Sequence, residues 1–597
     1  MSTYRNRTTP GVYITELNAF PPSIPGVQTA VPAFIGYTET ATVGGKSAYN
    51  TPIRINSLAD YQAVFGAEFD PVYDINAVAD ASKDPYDFSG LKWDAASKTY
   101  KPAYYALARS TSVSVQENRG TEGGPAIVPE VDAGAAGAAK PALAAFNLYN
   151  SVRLFYANGG GTCYVVSVGD YTANGTKKGG VAIDKKQLET GLAAAGEQSG
   201  PTMLVIPDAV LLPKSSDQTN LPYSTDFQDL TRAMLGQCAK LQDRVAVLDV
   251  YGTEAVDPTK PKNGTFDNDV TAVIDNFQQA VGGNFLNYGM AYFPFLVTSI
   301  IAPSEVSYIN FNIGDATQKK LVEDILTDQA SYQYPDLDSD GNRKSPADNK
   351  NPTFLAVKKM IDDIPTTVTS TTPEGMAAIT TLNQNLVNAL ALLQQMENAA
   401  TAKMSMQPAS GAMAGIFTFN DATRGVWNAP ANMVLDSVVQ PSLKLNGDQQ
   451  GPLNVPLNGK AVNVIREFVG RGPVVWGART LDGNSNDWRY VQVRRTIVYV
   501  EQSIKAALNM FVFAPNTGTT WVAVTAMVSG FLTNLWQQGG LMGAKPDEAF
   551  SVQCGLGSTM TGIDVLEGYM IVQVTLQMIR PAEFIELTFK QKMQGVA

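Results

Sequence analysis

Histidine does not occur among the 597 residues. Its absence removes the side chain most used for general acid–base work and the commonest metal ligand. Ser-His-Asp and Cys-His catalysis are excluded with it. Cysteine is nearly as scarce: Cys163, Cys238 and Cys554 stand far apart and form no C-x-x-C pair. That pattern fits free thiols in a protein made in a reducing compartment, not a disulfide framework. Basic charge is in deficit, with 44 Lys and Arg against 55 Asp and Glu and a net charge of −11. A protein that wraps nucleic acid carries the opposite balance, so no nucleic-acid contact is expected. Long apolar runs are missing too. The longest, from Met290 to Ala302, is too short for a bilayer and contains Pro294. The opening MSTYRNRTTPGVYITEL has no apolar signal core. No membrane insertion and synthesis and assembly in the cytoplasm follow as expectations. Action outside the cell would then require lysis or transport within an assembly.

What is present is enough apolar residue, 44%, to bury a large core. At about 150 residues per domain, the length predicts several domains or one domain with large insertions. Short apolar strands at Val31–Tyr37, Cys163–Val168, Met203–Ile206 and Val245–Val250 alternate with helical patterns at 185–196 and 226–241. Ser57 is placed to cap a short helix that Gly66 closes. That rhythm predicts an α/β layer within a mixed α+β chain. Residues 67–140 change character, rich in Asp, Pro, Gly and Ala, and read as a surface insertion. Residues 303–403 read as a second insertion, with Ile379, Leu382, Leu386, Leu390 and Leu393 on one helical stripe. The core is expected over 21–66 and 141–302, and a C-terminal domain over 404–580. Within the latter, helices are predicted at 496–511 and 519–537, separated by Pro515.

Motifs that carry chemistry are weak. Gly45-Lys46-Ser47 resembles the end of a phosphate-binding loop, but Thr40 stands where the first glycine is needed. Asp336, Asp338, Asp340 and Gly341 open like a calcium loop, yet the twelfth position is Ala347 instead of a bidentate Glu. Neither a cofactor nor a metal is expected. The informative segments are the ends. Val12-Tyr13-Ile14-Thr15-Glu16-Leu17 is a strand pattern between Pro10-Gly11 and Pro21-Pro22. From Tyr569 to Arg580, Met570, Val572, Val574, Leu576 and Met578 alternate with Gln573, Thr575 and Gln577. After Pro581, Glu583–Lys590 alternates again, with Ile585, Leu587 and Phe589 on one face and Glu586, Thr588 and Lys590 on the other. A lone strand must pair. These ends either fold back on their own sheet or add to a neighbour's.

Several blocks resemble the contractile tail sheath proteins of phages and related contractile injection systems. They include TPGVYITELNAFPPSIPGVQTAVPAFIGYTE at the start, PIRINSLADYQAVFG, LFYANGGGTCYVVSVG and PASGAMAGIFTFNDATRGVWNAPAN. The densest are NVIREFVGRGPVVWGARTL, WRYVQVRRTIVYVEQSIKAALNMFVFAPN, FLTNLWQQGGLMG and RPAEFIEL. The resemblance implies a structural subunit, not an enzyme, with an α/β core, outward insertions and terminal arms (1–20 and 581–597) exchanged between neighbours. On it, Val12–Leu17 and Phe584, Ile585, Glu586, Leu587 and Phe589 are donated strands, and Val572, Val574, Leu576 and Met578 belong to the accepting sheet. Gln538, Leu541 and Lys545 are candidates to face an inner tube. The implied partners are other copies in a helical sheath, the tube protein, a baseplate and a terminator or cap. Arg471, Arg479, Arg494 and Arg495 either bridge subunits or brace their own. Readings from other classes are a non-catalytic tail or fibre protein and, least favoured, a carboxylate-based hydrolase.

Overall fold

The computed structural model describes residues 24–69, 71–79, 81, 86–109, 146–171, 183–215, 224–253, 268–364 and 373–587. The strand at Val12–Leu17 and the position Phe589 lie outside them. The chain divides into two units. The larger holds Thr29–Arg424 and Ala429–Arg494, and the smaller holds Arg495–Ala597 with Met1–Gln28 and Gly425–Asn428. The region expected as one C-terminal domain is therefore shared between them.

The larger unit is built on a nine-stranded sheet. Its middle strands are parallel and run in the order Cys163–Asp170, Pro32–Thr38, Met203–Val205, Val245–Asp249, Gly289–Phe293. Numbered along the chain, that order is 2-1-3-4-5, a doubly wound arrangement. Asn463–Phe468 extends it in parallel, and antiparallel strands close both sides. The outermost strands are Ile53–Ile55 and Met433–Val434, three and two residues long.

Parallel strands covered on both faces must be apolar on both sides, and these are. Ala33, Ile35 and Tyr37 point to one layer with Val166, Leu204, Leu248 and Phe293. Phe34, Val165, Val205, Val247 and Tyr292 point to the other. Helices Lys185–Glu197, Thr225–Leu241 and Asn268–Ala280 cover the first face. Leu148–Ala157 and Ser410–Arg424 cover the second. The latter two approach closely at Gly411 and Gly415, where an added Cβ would meet the backbone oxygens of Ser151 and Phe155 at 2.5 Å. Ser57 caps Leu58–Phe65 by accepting from the Asp60 N–H, and Gly66 ends that helix at φ 80°.

The two inserted segments share one core. Strands Tyr73–Val78, Phe88–Asp94 and Thr99–Arg109 form an antiparallel sheet. Its Tyr73, Ile75, Phe88 and Tyr105 pack with Val322, Ile325, Phe354, Leu386 and Leu393 from the second segment. Both outer strands are blocked by side chains of the helix Ala316–Gln333: Gln318 accepts from the Ile75 N–H and Asp328 from the Trp93 N–H. The leucine stripe does not lie on one helix. The chain breaks at Leu390 (φ −132°, ψ 100°) between Pro373–Ala389 and Ala391–Met404. The break lets Leu386, Leu390 and Leu393 all reach the core, each fully buried.

In the smaller unit, helix Gly518–Gln537 packs Val524, Val528, Leu532 and Leu535 against Val500 and Ile504 of the helix Val491–Leu508. Strands Phe550–Gln553 and Gln573–Leu576 pair antiparallel, with Val552 opposite Val574. Among the described residues, no helix is long and apolar enough to cross a membrane.

Candidate assembly surfaces and the filled crevice of the sheet

In doubly wound sheets, ligands bind at the carboxyl ends of the strands, where the strand order reverses. Here that point lies between Pro32–Thr38 and Met203–Val205, and the chain's own groups fill it. Asp208, fully buried just past the second strand, accepts from the backbone N–H groups of Tyr37 (3.0 Å) and Asn147 (2.6 Å). Burial pushes its carboxyl up to about 6, against the pull of those N–H groups and that of Leu148. It thereby binds the start of helix Leu148–Ala157, where the unpaired N–H groups favour an anion. Beside it Phe146 and Tyr171 stack at 4.7 Å, and Phe69 meets both rings edge to face. One strand over, Asp249 repeats the device at the start of Ser410–Arg424. It accepts from the Ser410 N–H at 2.8 Å, and burial raises its carboxyl to about 6 as well. Both carboxylates are committed to helix starts.

The two weak motifs are turns. Lys46-Ser47 pairs with Thr42-Val43 in a hairpin whose tip, Gly44-Gly45, has φ 57° and 76°. No helix follows to form a phosphate cradle. In the acidic loop, Lys344 sits 3.0 Å from Asp336, and Asp338 accepts from the Asp340 and Asn342 N–H groups. Among the described residues, no group of three metal-ligating side chains comes together.

Two of the arginines brace the large unit. Arg494 is buried between the rings of Tyr288 (3.7 Å) and Trp488 (4.6 Å). Arg479 is buried, donating to the Gly483 carbonyl. Arg471 reaches Asn432 at the surface. Nothing in the local pattern around Arg494 announces the sandwich, because Tyr288 lies about 200 residues away along the chain.

The small sheet has the exposed surfaces. Met570, Val572, Val574, Leu576 and Met578 pack onto the helices as their alternation predicts, while Gln573, Thr575 and Gln577 face out. Among the described residues this sheet has two strands and no third. From Pro581 to Leu587 the described chain forms no helix or strand, and Phe584, Ile585 and Leu587 are 75%, 79% and 75% exposed, with Glu586 exposed beside them. Of the three tube-facing candidates, Gln538 and Lys545 are exposed. Leu541 is not available: it is 4% exposed, packs in the core and bridges to Met578. Its neighbour Met542 is the exposed apolar side chain of that loop.

Comparison with known proteins bears on these surfaces. Residues 484–592, which hold both helices and the small sheet, match the phage tail sheath C-terminal domain family. A prophage major tail sheath protein of Pseudomonas aeruginosa (strain UCBPP-PA14) is 30% identical over 176 residues. That match takes in 28% of this chain and 45% of the relative. The fold is similar to that of the sheath complex of PVC, an extracellular contractile injection system, in its contracted state. There the TM-score is 0.50 at 24% identity, covering 98% of both chains. It is also similar to a chain of the contracted anti-feeding prophage baseplate, with a TM-score of 0.52 at 19% identity and 98% of both chains covered. Residues 484–592 are therefore similar to the C-terminal domain of phage tail sheaths, and over the rest of the chain the likeness to contractile sheath proteins is one of fold.

Proposed function

We propose that this chain is the sheath subunit of a contractile, phage-tail-like machine: it polymerises helically around an inner tube and contracts to drive that tube through a target envelope. The observation that carries this reading is the small sheet, which has two strands among the described residues, together with an apolar segment that the described chain leaves exposed. Exposed apolar side chains in such density mark an interaction surface. Strand addition between copies answers both features, with Val12–Leu17 and Phe584–Phe589 as donors and Val572–Met578 in the acceptor. Each main-chain bond so made contributes roughly 0.5–1.5 kcal/mol net. The linker after Pro581 can bend while the sheet stays paired, so that link survives rotation of one subunit against the next. Contraction is then a change between two packings of the same subunits, a bistable interface of the kind used by other switching proteins. It needs no nucleotide, in keeping with Gly45-Lys46-Ser47 as a plain hairpin.

Gln538, Met542 and Lys545 are the proposed tube-facing contacts, and a baseplate and a terminator or cap the proposed end partners. The inserted segments sit outermost, assembly takes place in the cytoplasm, and release follows lysis. Negative-stain electron microscopy of the purified chain tests the reading. Striated hollow tubes or stacked rings are expected, and a truncation lacking residues 582–597 should give none. A monodisperse monomer across a range of salt concentrations would overturn it.

A further inference from the structure

Between the two helices of the small unit the chain turns through Asn509–Asn516, and this turn is costly in two ways. Phe513 holds φ 66°, the left-handed region that side chains other than glycine rarely adopt. Its ring is also 102% exposed. Met510 and Val512 beside it are 59% and 60% exposed, and Val522 on the following helix 70%. The turn is nonetheless tightly fixed. Asn516 donates to the Tyr569 carbonyl at 2.9 Å and accepts from the Trp521 indole N–H at 2.7 Å, while Thr520 donates to the Pro515 carbonyl. Strain that persists because its surroundings over-determine it points to function.

What the turn meets can be argued from charge and position. From residue 506 to 544 the chain carries no Asp, Glu, Lys or Arg, although 17% of all residues are charged. A neutral apolar surface discriminates against charged partners and gains nothing from them. The bond to Tyr569 places the turn beside the start of the strand run that ends in Gln573–Leu576, and Tyr569 and Ile571 there are 60% and 42% exposed. The turn therefore borders, at Tyr569, the end of any strand added along that run. The same unit displays an apolar segment that makes no strand in its own copy: Phe584, Ile585 and Leu587.

We propose that the Phe513 turn is the seat for a second copy of this chain, receiving the apolar side chains of that copy's 584–587 segment where it passes the end of the small sheet. The proposal rests on the sheath reading and adds the residue that anchors the donated segment. It has a signature that a purely structural role lacks. Phe513→Gly relieves the left-handed strain and removes no buried contact, so urea unfolding of the unassembled chain should shift to equal or higher midpoint. The same variant should require at least tenfold more protein to form tubes, judged by sedimentation and electron microscopy of the full chain alone. Phe513→Tyr should assemble at the wild-type concentration, and Val512→Ser should weaken assembly without lowering stability. Because the seat is uncharged, the difference between Phe513→Gly and wild type should be the same at low and high salt. Assembly of Phe513→Gly at the wild-type concentration would overturn the proposal and give the turn to a different molecule, the tube among them. Failure of the wild type to assemble under any condition would instead remove the sheath reading itself.

Discussion

A methyl group added to Gly415 or Gly411 should destabilise the large unit, although alanine is the better helix former. At Gly415 the new Cβ would sit 2.5 Å from the Phe155 carbonyl oxygen and 2.7 Å from the Asn158 Cβ. At Gly411 it would sit 2.5 Å from the Ser151 carbonyl oxygen and 2.7 Å from the Ser151 Cα. These are mostly backbone atoms of the facing helix, so no rotamer change relieves the clash. The helices Leu148–Ala157 and Ser410–Arg424 must separate, opening the layer that holds Val152, Phe155, Met413 and Phe417. Overpacking of this kind costs about 1–3 kcal/mol, more when backbone must move. The gain in helix propensity returns about 1 kcal/mol. A net loss of up to roughly 2 kcal/mol per site is expected. Gly236, inside the helix Thr225–Leu241 with nothing within 4 Å of its Cβ position, is the control. Gly236→Ala should stabilise by about 0.5–1 kcal/mol. Multi-unit chains rarely unfold in one step, so hydrogen exchange read peptide by peptide over 148–157 and 410–424 is the suitable assay. Faster exchange there in Gly411→Ala and Gly415→Ala, with slower exchange around Gly236 in its variant, is the expected result. Slower exchange in all three would refute the close-approach argument.

Asp208 and Asp249 have folded pKa values raised to about 6 by burial. The stability they contribute is fully present below about pH 4 and is lost as pH rises through 6. Each shift of about two pH units corresponds to about 3 kcal/mol, and the Asp208→Asn, Asp249→Asn double variant should lose that decline in a stability-versus-pH profile. Arg494→Lys keeps the charge but not the flat stack between Tyr288 and Trp488. A loss of about 1–2 kcal/mol in thermal or urea unfolding is expected. Leu541→Ala should cost about 2–5 kcal/mol as a core truncation. Lys545→Ala should stay within about 0.5 kcal/mol and instead, under the proposed tube contact, lower co-sedimentation with a tube protein.

Much of the fold was readable wherever a local period meets a local partner. The strand at Pro32–Thr38, the Ser57 cap with its Gly66 stop, and the alternation of Met570–Met578 all stand as the residues predict. What could not be read is what depends on distant partners. Residues 71–109 look like an irregular insertion because half of their core, Val322 to Leu393, comes from the second insertion. Leu541 sits in a glycine-flanked loop with no period, and only its bridge to Met578 makes it interior. The leucine stripe over 379–393 satisfies a helical period equally well as one helix or as two. Phe513 gives no signal at all, since neither φ nor exposure is written in its neighbours.

The outermost strands of the large sheet are only three and two residues long, and edges that short template poorly. The strands able to extend, Phe550–Gln553 and Gln573–Leu576, come after all of these in the chain. On the ribosome, the large sheet can therefore fold completely before the strands proposed to accept a neighbour's segment have emerged. Nascent chains crowded on one message would be protected from joining each other half-made, and the capacity to assemble would arrive as the last strands emerge.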